Sequence, residues 1–126
     1  MPAANFPEYI RGITDALNKV VATGEAVLFA LQVDDRSSTQ GLLAGSLQFD
    51  DGSTLHFREF VNTSQVEPKI VYAYHYQDAD ANLIFRYDNA RHKPALPQSD
   101  HKHTPSGVEP SPAPTLVGVL DQILKT

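Results

Sequence analysis

Cysteine is missing from all 126 residues, which excludes disulfides, thiol nucleophiles and cysteine-based zinc sites and makes the cytoplasm the default expectation. Positive charge is in short supply. Lys and Arg number 10 against 15 Asp and Glu, a net charge of −5 with a pI near 5.4. The broad basic footprint that duplex nucleic acid requires is therefore lacking, although a small cationic site or a basic partner is compatible with this balance. Long apolar runs are also missing. Nothing approaches the roughly 20 residues that span a bilayer, so no membrane segment is expected. The start, MPAANFPEYIRGITDALNKVV, lacks a basic segment followed by an unbroken apolar run and does not read as a signal peptide. No Walker A loop, GxGxxG, GxSxG or HExxH occurs, which removes the commonest nucleotide, hydrolase and zinc-protease signatures. There is no internal repeat.

What is present is an ordinary globular composition, 41% hydrophobic and 20% charged, consistent with one domain over residues 1–126. From Pro7 to Val21, apolar residues at three- and four-residue spacing (Ile10, Ile13, Leu17, Val20, Val21) predict an amphipathic helix that Gly24 can end. Five strands are expected next, over residues 25–34, 42–49, 54–62, 69–77 and 83–89. Asp50, Asp51 and Gly52 form a hairpin signal that sets Leu47 opposite Leu55. Alternation then lines Glu59 up with Leu55, Phe57 and Val61 on a core face, where a carboxylate needs a partner, and Arg86 is the candidate. A five-residue loop at Asp78–Asn82 would put Tyr72, Tyr74 and Tyr76 on one face with Arg86 and Asp88, and His75 on the other with Phe85 and Tyr87. Residues 90–114 hold six of the nine prolines without apolar periodicity, and read as a long irregular loop that is either functional or poorly ordered. Thr115 is placed to cap a short closing helix over residues 115–125. The order of helix, antiparallel meander of about five strands, long His/Pro-rich loop and short helix is an α+β fold.

Chemistry is concentrated between Val71 and His103. Four of the five histidines lie there (His75, His92, His101, His103), with Arg86, Asp88, Arg91, Lys93 and Lys102. Histidine exchanges protons near neutral pH and arginine holds phosphate bidentately. Metal-independent RNA cleavage needs a base, an acid and a cation, and this inventory supplies all three. Solvated histidines, and tyrosines that merely pack a sheet, account for the same residues. The HKH pair at His101 and His103 is a weak metal motif, and neither metal nor cofactor is expected.

The run FREF, then YAYHYQDADANLIFRYDNA, then a proline- and histidine-rich stretch with HKH, then VEPSPAPTL resembles the TumE family of small bacterial toxins over Gly45 to Leu124. The family's arginine–glutamate pair matches Arg58 and Glu59, its tyrosine–histidine–tyrosine strand matches Tyr74, His75 and Tyr76, and its arginine–tyrosine–aspartate–asparagine matches Arg86, Tyr87, Asp88 and Asn89. Where the family carries alanine–proline–histidine–histidine this chain has Ala90, Arg91, His92 and Lys93, and where it carries proline–histidine–histidine–lysine–histidine the chain has Ser99, Asp100, His101, Lys102 and His103. Two family histidines are thus absent, leaving fewer imidazoles for any metal. The resemblance implies a growth-arresting toxin held inactive by a helix-turn-helix antitoxin. Joined to the side-chain inventory, it suggests a ribonuclease with His92, His101, Arg86 and Glu59 as catalytic residues. Tyr74, His75, Arg91, Lys93, Lys102 and His103 would bind RNA, and Asp88, Asn89 and Arg58 would orient the site. A protein-binding module without catalysis is the alternative, and a homodimer is compatible with either.

Overall fold

Asn5 starts the first helix. Its side-chain oxygen accepts from the Glu8 backbone N–H at 3.0 Å, and Pro7 occupies the first turn, where a missing N–H costs nothing. In this computed structural model, which describes residues 3–89 and 100–124, helix α1 (Phe6–Ala22) buries Phe6, Leu17 and Val20. Gly24, at φ +80°, then turns the chain into the sheet.

The sheet is a seven-stranded antiparallel meander in chain order: β1 (Ala26–Asp35), β2 (Gln40–Phe49), β3 (Thr54–Asn62), β4 (Lys69–Gln77), β5 (Leu83–Asp88), β6 (His101–Thr104) and β7 (Gly107–Pro110). Helix α2 (Leu116–Leu124) closes it, and Thr115 caps the helix by accepting from Gly118 N–H at 3.0 Å. Both helices pack on one face. Phe6, Leu17, Val20, Leu116, Val119 and Leu120 share a core with the inward residues of β2 to β5. The architecture is α+β, as the pattern predicts, and Leu47 stands opposite Leu55 with Gly52 at φ +86° in the intervening turn.

Two expectations fail. The strand count is seven rather than five, because residues 101–110 are not irregular. HKHT forms β6, and a turn at Pro105 and Ser106 returns the chain as β7. The prolines hid this hairpin. Pro105 sits in the turn and Pro110 ends an edge strand, both places where a missing backbone donor is harmless. The face assignment across β4 and β5 is also reversed. Gln77 pairs with Leu83 but Tyr76 pairs with Phe85, so a bulge absorbs Ile84. Plain counting would have buried Arg86 and Asp88 beneath the helices. The bulge puts Phe85 and Tyr87 there instead, each under 10% exposed, beside Tyr74 and Tyr76.

Candidate functional site

The bulge at Ile84 creates the site by turning Arg86 and Asp88 to the face without helices. His75 belongs to that face because its neighbours Tyr74 and Tyr76 point into the core. The β5–β6 register then sets His103 opposite Arg86 and His101 opposite Asp88. Two rows result, running across the strands. One is His56, His75, Arg86, His103, each paired with the next on the adjacent strand. The other is Arg58, Ala73, Asp88, His101.

Asp88 is the hub, 4% exposed. Arg86 Nε donates to its Oδ2 at 2.7 Å. His101 Nε2 contacts its Oδ1, and His103 Nε2 lies 3.6 Å from Oδ2. The two imidazoles meet edge to face with centroids 4.8 Å apart. On the other flank, Arg86 NH1 is 3.4 Å from His75 Nδ1, and His75 Nε2 lies 3.2 Å from Gln77 Oε1. That pair of contacts is satisfied by a ring protonated on Nε2 with its lone pair on Nδ1. Burial, and then the Arg86 charge, hold the His75 ring below its ordinary 6.5. Exposure differs sharply along the cluster. The His101 ring is fully buried, whereas His103 is 22% and Arg86 32% exposed. Arg86, His103 and the half-buried His75 therefore meet solvent, while the buried His101 ring, in contact with Asp88, does not.

Asp88, His101 and His103 are also the one group among the described residues whose ligand atoms, all within 4.8 Å, could gather around an ion. Their chemistry fits a proton-sharing network better. His101 and Asp88 already contact one another directly, and the Arg86 guanidinium occupies Oδ2, a cation where an ion's charge would otherwise be favoured.

The other sequence-predicted residues lie elsewhere. Glu59 does not pair with Arg86. It sits on the helix face, 2% exposed, and accepts from Tyr74 OH at 2.6 Å and from Tyr9 OH on α1. Arg86 could not reach it, since the bulge turns that side chain to the opposite face. Tyr74 is buried in the same network, where Lys69 Nζ donates to its hydroxyl at 2.8 Å. Burial, reinforced by Glu59, pushes the Tyr9 and Tyr74 phenols well above their usual value. Lys102 also faces the helices, its ammonium 5.1 Å from the Tyr87 ring centre. Asn89 ties β5 to β4, accepting from Tyr72 N–H at 3.1 Å and donating to Ile70 C=O at 2.9 Å. Arg58 is exposed on the site's own face. Arg91, His92 and Lys93 lie outside the described residues. His56 was not among the predicted site residues, yet its ring stands 6.3 Å from that of His75. Its alternation with Leu55 and Phe57 was the available signal.

A larger cleft, about 1100 Å³, opens between α1, the start of β4 and the start of α2. Its polar floor is internally satisfied, with Lys69 bonded to Tyr74 and to Pro114 C=O and Tyr72 OH bonded to Asp100 at 2.8 Å. Burial lowers the Lys69 pKa and raises that of Tyr72. These groups brace the helices against the sheet, and the solvent-facing reactive cluster is the one around Arg86.

No helix among the described residues is long and apolar enough to cross a membrane. Comparison with curated proteins and with solved structures returns no match. The family model described as toxin TumE matches residues 6–126, and the chain therefore belongs to the TumE family, toxins of toxin–antitoxin systems.

Proposed function

We propose that this toxin arrests growth as a metal-independent endoribonuclease, with His75, Arg86 and His103 at the reacting phosphate. The observation that carries the reading is the row itself. A guanidinium that is 32% exposed stands between two solvent-reaching imidazoles on the strands to either side of it. Strand spacing puts those two imidazole-bearing backbones roughly 10 Å apart, with the guanidinium midway, a gap that suits a bound phosphodiester.

In this scheme the phosphate draws Arg86 away from His75 Nδ1, which frees that lone pair. His75, neutral at pH 7 because of its lowered pKa, takes the proton from the ribose 2′-hydroxyl. The 2′-oxygen forms a bond to phosphorus, Arg86 holds the charge on the non-bridging oxygens, and the bond to the 5′-oxygen breaks. A protonated His103 gives its proton to the departing oxygen. The products are a 2′,3′-cyclic phosphate and a 5′-hydroxyl end. Asp88 and His101 position Arg86 and His103. The cognate antitoxin that restrains this activity would be of the helix-turn-helix type.

Single variants His75→Ala and His103→Ala test the scheme. Each should lower RNA cleavage by about 10²–10⁴-fold, the usual contribution of an acid or base, and relieve growth arrest at normal protein abundance. A chelator should leave cleavage unchanged. Full toxicity in both variants, or growth arrest with total RNA intact, would instead favour a toxin that works by binding a cellular machine.

A further inference from the structure

We infer that a second pocket on the same open face, formed around Phe60 and Arg58, is a nucleobase subsite for single-stranded RNA. The inference rests on the ribonuclease reading and names the substrate's conformation. Phe60 lies four residues along β3 from His56, so its ring belongs to the face of the histidine row. Leu42 and Val71 are its direct neighbours on β2 and β4. With Ala44 they line an apolar pocket of about 350 Å³, room for one base. Val71 is 48% exposed, so this floor is open to solvent.

Three further observations point to a base rather than to any other apolar group. Arg58 stands at the pocket's inner edge, exposed and without an ion pair among the described residues. It is therefore a cation available to a phosphate. Gln32 and Asp34 from β1, the latter paired with Arg36, line the outer edge and offer hydrogen-bonding groups to a base. Finally, Arg58 begins the row that passes the buried Ala73 to Asp88, so the pocket and the reacting row are neighbours in the register of β3, β4 and β5. From strand spacing and rise, the Phe60 and Arg86 backbones lie roughly 16 Å apart. A short stretch of extended single strand covers that span. A duplex cannot present a base to the pocket, because its bases are stacked and paired. Unstacked bases seat on aromatic and apolar side chains, and the adjacent backbone finds the cation.

The test uses 2′-O-methyl RNA, which lacks the attacking hydroxyl and so reports binding by the intact protein without cleavage. A base-bearing strand is compared with an abasic strand of equal length. The base-bearing strand should bind the wild-type protein at least tenfold more tightly. Phe60→Leu, which keeps the pocket filled, should remove most of that difference while leaving abasic binding unchanged. Arg58→Gln should weaken both strands. Far-ultraviolet circular dichroism confirms that the variants fold. Equal binding of the two strands by the wild-type protein, or undiminished discrimination by Phe60→Leu, overturns the subsite. Cleavage with 2′,3′-cyclic phosphate ends would in that case still support the ribonuclease reading. Failure to bind either strand, with no cleavage, removes both.

Discussion

Glu59 shows how much one residue's position says and how little it says about partners. Its place in line with Leu55, Phe57 and Val61 makes a buried carboxylate legible from alternation alone. The donors that satisfy it are phenols, one on α1 fifty residues away and one on the next strand. Neither carries a charge, so the carboxylate's charge alone points to a cation such as Arg86 rather than to either phenol. Glu59→Ala would leave the buried Tyr74 and part-buried Tyr9 hydroxyl protons without their acceptor. Such groups cost about 1–3 kcal/mol each. The variant should lose about 2–4 kcal/mol in urea unfolding, and Tyr9→Phe about 1 kcal/mol. If Glu59→Ala unfolds at the wild-type midpoint, the network does not brace α1 on the sheet.

His75 makes a prediction of its own at this scale. Its pKa in the folded protein lies below 6.5, the value the unfolded chain should show. Above about pH 6.5 both states hold a neutral ring, and His75 contributes no pH dependence. As pH falls through 6.5 the unfolded chain binds the proton first. Stability therefore declines over that window until the folded ring also protonates. In the proposed ribonuclease scheme the same shift would set the pH dependence of cleavage. A base that stays neutral in mild acid puts the acid limb of kcat/KM below pH 6.5. His75→Ala should abolish that limb in the residual activity. A limb unchanged by the substitution would identify a different base.

Among the elements, β1 to β4 and both helices were legible because each carries a periodic apolar set and a turn signal. The site was less so, since it depends on features with no local signature. The bulge at Ile84 is one. It is selected because it buries Phe85 and Tyr87 in place of Arg86 and Asp88, a choice that only the packed sheet enforces. Strand β6 is the other, four residues long and half histidine, with nothing apolar to mark it. Arg86, Asp88, His101 and His103 were all recognised as reactive residues, but their convergence was not readable until the register of β5 on β6 was known. The sheet also depends on a close approach at Gly45, opposite Phe57. A Cβ there would come within 2.6 Å of the Phe57 ring and 2.7 Å of the Ala30 carbonyl oxygen. The ring can shift but the backbone oxygen cannot. Gly45→Ala should cost about 1–3 kcal/mol by overpacking. The midpoint of thermal unfolding reads it directly, and an unchanged midpoint would mean that β1 moves away freely.

For the molecule as a whole, the proposed ribonuclease reading raises the question of how a chain with net charge −5 would engage a polyanion. The sheet resolves it by segregation. On the open face, Arg58 and Arg86 are interleaved with histidines, while Glu59 is folded under the helices, Asp88 is committed to Arg86 and His101, and the exposed Asp34 is paired with Arg36. Binding should accordingly depend on a few local contacts rather than on a long-range field. Two phosphate contacts on single-stranded RNA give a slope of about −1.4 for the logarithm of the association constant against that of salt concentration, since each contributes roughly −0.7. Arg58→Gln should reduce the slope to about −0.7, as should Arg86→Gln, because each removes one phosphate contact. A steeper wild-type slope would count further cations in contact with the strand, with Arg91 and Lys93 the nearest in sequence. A slope indifferent to both arginines would mean that RNA does not lie along this face at all, and the reading of the His75–Arg86–His103 row as a phosphate site would fall with it.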